Sequence, residues 1–252
     1  MKKILLITTT ILTVGLLPAL AQFGPRGGGA SGPHFNGALN KLFGDNQTFS
    51  SDLEFQTSGK TGLVTIPGKM SFDNGKSRFE MNMSEVKGSK MPPDAAQQLK
   101  AMGMDSMVAI SRPDLKVSYL VYPGLTSYAE SAVQDESATA SPEDFKMEAT
   151  EIGKETLDGH DCVKNKVVVT DKDGAKHEST VWNATDLKKF PLKIVTEENG
   201  TSVTMLYKNI SFDKPDASQF APPASYTKYD NVQTMMQTEM MKHLGGAAAG
   251  HP

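Results

Sequence analysis

The feature that most constrains this chain is a hydrophobic period of two. Phe49, Leu53 and Phe55 fall on one side of an alternating pattern, with Ser50, Asp52 and Glu54 on the other. The alternation returns as Phe79, Met81 and Met83 against Arg78, Glu80 and Asn82. That period belongs to an extended strand with one buried and one wet face, so the chain is committed to antiparallel sheet. Turn chemistry cuts the pattern into hairpins. Asp73-Asn74-Gly75, Asp158-Gly159, Asp173-Gly174 and Asn199-Gly200 supply the left-handed positions that tight turns need, and Arg112-Pro113-Asp114 and Pro123-Gly124 supply turns of other types.

Between these turns, strands are predicted at Leu63–Met70, Met107–Ile110, Val117–Val121, Thr126–Ala129, Lys146–Thr156, Cys162–Thr170, His177–Trp182, Pro191–Thr196 and Ser202–Phe212. With the two alternating segments this makes roughly ten strands. Pro67 and Gly68 place part of the second strand at an edge or a bulge. Gln134 to Pro142 is small and polar, a surface loop.

Helical spacing appears three times. Phe35, Ala38, Leu39, Leu42 and Phe43 fall on one face with Gly44 as the stop. Pro92-Pro93 opens a segment with Ala95, Ala96, Leu99 and Met102 on one side. Asn231 to Leu244 gathers Val232, Met235, Met236, Met240 and Leu244 on a broad face that also contains Glu239 and His243, and Gly245 to Pro252 reads as a disordered tail. Strands and helices do not alternate, which excludes a doubly wound nucleotide-binding fold. The expected class is mainly β (α+β).

The first 21 residues read as a secretory signal peptide: Lys2 and Lys3, an apolar run from Ile4 to Leu17, Pro18, then Ala19-Leu20-Ala21 ahead of a cut before Gln22. The apolar run is shorter than a membrane span, so no transmembrane anchor is expected. Gln22 stands where a lipoprotein would carry its acylated cysteine. A periplasmic or secreted protein is therefore expected. Residues 22–34 form a flexible arm rich in Gly and Pro. Cys162 is the single cysteine, so no intrachain disulfide can form, and its place at a strand entry fits a buried thiol. The formal charge of −3 offers no basic field for nucleic acid.

The second half carries a sequence of motifs that resembles a known family. Thr180-Val181-Trp182, Pro191-Leu192-Lys193-Ile194-Val195, Tyr207-Lys208-Asn209-Ile210 and Phe220-Ala221-Pro222-Pro223-Ala224-Ser225-Tyr226 follow in the order found in the bacterial outer-membrane lipoprotein carrier (LolA/LolB-like) superfamily and its uncharacterised secreted relatives. The resemblance spans residues 35–229, leaving 230–252 as an added Met-rich helix and tail. It implies a curved antiparallel sheet forming an unclosed β-barrel, lidded by helices, whose concave face holds acyl chains. The function it implies is an exported carrier or binding protein for a hydrophobic ligand, a lipid or lipoprotein acyl chain, in the bacterial envelope. The side chains expected to line or lid that groove are Phe79, Met81, Met83, Leu99, Met102, Val117, Tyr119 and Trp182. The expected partners are the hydrophobic ligand or lipoprotein and, transiently, other envelope proteins.

Nothing in the sequence points to catalysis or to a cofactor. His34, His160, His177, His243 and His251 are scattered over tails, turns, a strand and a helix, and no nucleophile elbow, zinc-protease helix or phosphate loop is present. Asp158, His160 and Asp161 form the tightest polar cluster, which a hairpin explains. The fourteen methionines are the unusual count. Thioethers suit Cu(I), so Met102, Met104 and Met107 define an alternative as a periplasmic copper-binding protein. Flexible methionines also suit an adaptable apolar lining, and that reading is preferred to copper. An envelope protein that binds another polypeptide through its sheet is the third reading.

Overall fold

A computed structural model describes residues 37–59, 62–88, 93–133, 142–198 and 200–248. The expected leader, arm, Phe35, the loop at 134–141 and the end of the tail lie outside them. Twelve strands form one open sheet: β1 (Thr48–Gly59), β2 (Gly62–Asp73), β3 (Lys76–Asn82), β4 (Ser106–Arg112), β5 (Val117–Tyr122), β6 (Ser127–Ala132), β7 (Lys146–Leu157), β8 (His160–Thr170), β9 (Lys176–Ala184), β10 (Pro191–Glu198), β11 (Thr201–Ser211) and β12 (Thr227–Tyr229). Their spatial order is β12-β6-β5-β4-β3-β2-β1-β11-β10-β9-β8-β7, so the first and last hairpin series meet where β1 pairs with β11. Helices α1 (Gly37–Lys41), α2 (Pro93–Ala101) and α3 (Val232–Ala248) complete the fold. It is mainly β, curved and not closed into a barrel, as the sequence led us to expect.

Register explains the core. Phe49 pairs with Phe72, Phe55 with Ile66 and with Met205, and Leu53 with Tyr207, so the apolar alternation of three strands falls on one side, here called the inner face. Phe43, just beyond α1, seats its ring 4.9 Å from Phe49, 5.3 Å from Phe72, 5.9 Å from Phe190 and 5.8 Å from Tyr207. Gly44 follows with φ +55°, the left-handed stop that the sequence places there. Burying such rings is worth about 1.5–3 kcal/mol each, and offset or edge-on contact adds to it.

Two expectations are corrected, and the places of Pro67 and Gly68 are explained. Among the described residues the strands number twelve, because Thr227–Tyr229 adds a short one that runs parallel to β6 in an otherwise antiparallel sheet. Pro67 stands at a local edge, as expected, and not at a bulge: β2 pairs with β1 without a register break, and β3 begins its pairing with β2 only at Gly68. Pro67 therefore has a paired strand on one side alone, which is where a residue without an N–H is tolerated. Gly68 is required by close approach, since a Cβ there would collide with the Glu80 carbonyl and the Phe79 ring. Finally, residues 245–248, expected to be disordered, continue α3; alanines at 247 and 248 favour helix enough to carry it past Gly245-Gly246.

Candidate functional site

The inner face is filled by the chain's own side chains. Met70, Phe79, Met81 and Met107 line it along β2, β3 and β4, and all are buried. Met83, in a 3-10 turn after β3, is buried too, and α2 packs against that turn with Leu99 as the side chain it buries. Burial pushes the Tyr122 and Tyr207 phenols well above their ordinary pKa, so both stay neutral. Asn40 Oδ1 and Ser51 Oγ are buried with no hydrogen-bond partner among the described residues.

Helix α3 docks on β6 through Met235, which is fully buried, and Glu239. The carboxylate accepts from Ser127 Oγ at 3.0 Å, from the Tyr229 hydroxyl at 2.7 Å and from Lys242 Nζ at 2.9 Å. Burial alone would raise its pKa, but the three donors outweigh burial and hold it below the ordinary value. Glu239, which the sequence places within an otherwise apolar face, is the polar anchor of that face. Its donor on β6, Ser127, is 112 residues away, and only the folded sheet brings it and Tyr229 of β12 together around the carboxylate.

The eight residues expected to form one groove are divided between the two faces. Phe79 and Met81 point inward, and Met83 and Leu99 are buried near the end of β3, with Met102 half-buried just beyond α2. Val117 and Tyr119 lie on the outer face, because Tyr119 pairs with Ile110 and Val117 with Arg112, in register opposite to inward-facing Ala109 and Ser111. Trp182 is also on the outer face, in the row of Lys193 and Lys164. It is buried there under lysine stems, with Lys193 Nζ 4.5 Å and Lys164 Nζ 4.8 Å from its ring, while Nε1 donates to Glu155 at 2.8 Å.

The apolar burial on the outer face of β4 and β5 has a cause that the local sequence pattern does not show. Val108, Ile110 and Val121 are buried on the outer face beneath a strap, residues 216–226, whose Phe220 joins them, with Tyr119, Tyr128 and Tyr226 packed around. Hydrogen bonds fix the strap. Ser71 Oγ donates to Gln219 Oε1 at 2.8 Å, Arg78 to the Gln219 carbonyl at 3.0 Å, and Arg112 to the Phe220 carbonyl at 3.2 Å. Arg112 is steadied by two bonds to Asp114, which raise its pKa and lower that of Asp114. An open groove of about 820 Å³ remains between the strap and the outer face. The Phe220-to-Tyr226 motif was visible in the sequence, but its side of the sheet was not.

Met104 and Met107 occupy ordinary core places, Met107 opposite Met81 across β3 and β4. Among the described residues no group of three His, Cys, Asp or Glu side chains could hold a metal. His160 Nδ1 contacts Asp186 at 2.7 Å at the surface, a hairpin contact. The Cys162 thiol is buried, and burial raises its pKa, as its position predicted for an inert thiol. No described helix is long and apolar enough to cross a membrane.

No protein-family model and no curated protein matches the chain. Among solved structures it is similar to a LolA-superfamily protein from Nitrosomonas europaea, at 9% identity over 74% of this chain and 96% of that one, TM-score 0.38. It is similar to the lipoprotein LppX from Mycobacterium tuberculosis, at 10% identity over 69% and 91%, TM-score 0.39. It is also similar to LprF from Mycobacterium bovis, at 12% identity over 75% and 95%, TM-score 0.40. At this distance the likeness says nothing of what the site does.

Proposed function

We propose that this protein is an exported carrier or binding protein for a hydrophobic ligand in the bacterial envelope, a lipid or the acyl chain of a lipoprotein. The ligand is held between the inner face of the sheet and the helices by apolar burial, without bond making. The observation that carries this reading is the Met-rich composition of the inner face: Met70, Met81 and Met107 on the strands, Met83 and Met104 beside α2, and Met235 on α3 are all buried. Unbranched thioethers repack around varied shapes at little cost, which suits a lining that is filled by side chains when empty and by a chain when loaded. Helices serve as cover because each can separate from the sheet without breaking its ladder.

Leu99→Asp tests the reading. The substitution puts a carboxylate where α2 buries its apolar contact, at a cost of several kcal/mol for an unpaired buried charge. In a fluorescent fatty-acid titration the affinity falls at least about tenfold, while the thermal melt stays cooperative, since the aromatic cluster at Phe43 is elsewhere. Equal affinity in a folded variant would remove α2 from the site. In the same reading the mature chain starts at Gln22 and washes free of membranes, which N-terminal sequencing of fractionated cells checks.

A further inference from the structure

The groove on the outer face goes beyond the inner-face reading and does not rest on it. Its floor is one cross-strand row: Asp52 on β1 pairs with Lys69 on β2, Lys69 with Glu80 on β3, Glu80 with Val108 on β4, and Val108 with Val121 on β5. Five strands at the usual spacing make that row about 19 Å long. Its character changes midway, from three charged side chains to two buried valines. The strap roofs the groove with Pro222 and Pro223, which lack an N–H, and with Tyr226. Because Gln219 and Phe220 are tied to Ser71, Arg78 and Arg112, the groove is formed before anything enters it.

The charges of the row define what fits. Glu80 accepts from Arg78 Nε at 2.7 Å, and that pair is neutral as a whole. Asp52 accepts only the neutral Asn209 amide, at 2.7 Å, and neither Asp52 nor its neighbour Lys69 has an ion-pair partner among the described residues. One negative and one positive charge therefore stand side by side on the groove floor, at the end of the row away from the buried valines. A ligand of single charge meets attraction and repulsion together, whereas a head carrying both charges is complementary to both. We infer that the outer-face groove binds a zwitterionic amphiphile, its head on Asp52 and Lys69 and its apolar body between Val108, Val121 and the Pro222–Tyr226 roof.

The test uses the mature full-length protein and n-dodecylphosphocholine below its micelle concentration, followed by methyl NMR. The expected result is saturable shifts at the Val108 and Val121 methyls and not at inner-face Ile66 and Ile194. Lys69→Glu weakens binding about fivefold, and the exchange Asp52→Lys with Lys69→Asp restores it to within about twofold. These are surface substitutions, so the thermal melt serves as a check that all variants stay folded. Shifts confined to Ile66 and Ile194 would overturn the inference while favouring the inner-face carrier. Equal binding of an uncharged dodecyl maltoside, with no response to the charge variants, would overturn it as well.

Discussion

The two faces of this sheet are covered by different means. The inner face is closed by apolar side chains from helices and from the segment around Phe43, with contacts that are numerous and mostly without direction. The outer face of β3, β4 and β5 is covered by a strap held through named hydrogen bonds to its carbonyls and to Gln219. Apolar cover can shift and repack because no single contact fixes its place, whereas a strap pinned by directional bonds keeps its distance from the sheet and leaves a groove. One sheet thus carries an adaptable surface and a preformed one.

The largest expected effect breaks the inner face. Phe43→Ala removes a ring that meets four others and costs about 3–5 kcal/mol in a urea melt. Phe220→Ala is expected to cost less, because the arginine bonds keep the strap near its place after the ring is gone. Equal losses would mean that both covers work alike.

Gly68→Ala comes next, at about 1–3 kcal/mol, because the neighbour that must yield is backbone at Glu80 as well as the Phe79 ring. A melting temperature unchanged in that variant would show that β2 and β3 can separate without loss.

The smallest effect concerns α3. Glu239 has a depressed pKa, so its contribution is fully present above the ordinary glutamate value of about 4.3 and is lost as pH falls through the depressed value. Amide exchange across α3 is expected to accelerate on acidification through that window. Glu239→Gln should cost about 1 kcal/mol at neutral pH and flatten the dependence. A wild-type profile without that step would leave Met235 as the only anchor.

The sheet was legible because its period and its turns are local. Asn74-Gly75 and Asp158-Gly159 take the positive φ that their hairpins need, and the strands between them follow the alternation of their own residues. The assignment of side chains to faces was less legible. Met107-Val108-Ala109-Ile110 is apolar throughout because β4 is covered on both sides, so alternation gives it no direction. Apolarity alone groups Val117, Tyr119 and Trp182 with Phe79 for the same reason: it marks burial, and burial occurs on both faces. The parallel docking of β12 and the Ser127 bond to Glu239 depend on residues about 100 positions apart, which no short window contains.

Native mass spectrometry of the mature protein, recovered from its own host without detergent, tests the central claim most directly. The account predicts a population carrying the added mass of a lipid or acyl chain, displaced by excess fatty acid. A copper mass lost in the Met102→Leu, Met104→Leu, Met107→Leu variant, or no added mass at all, would contradict it.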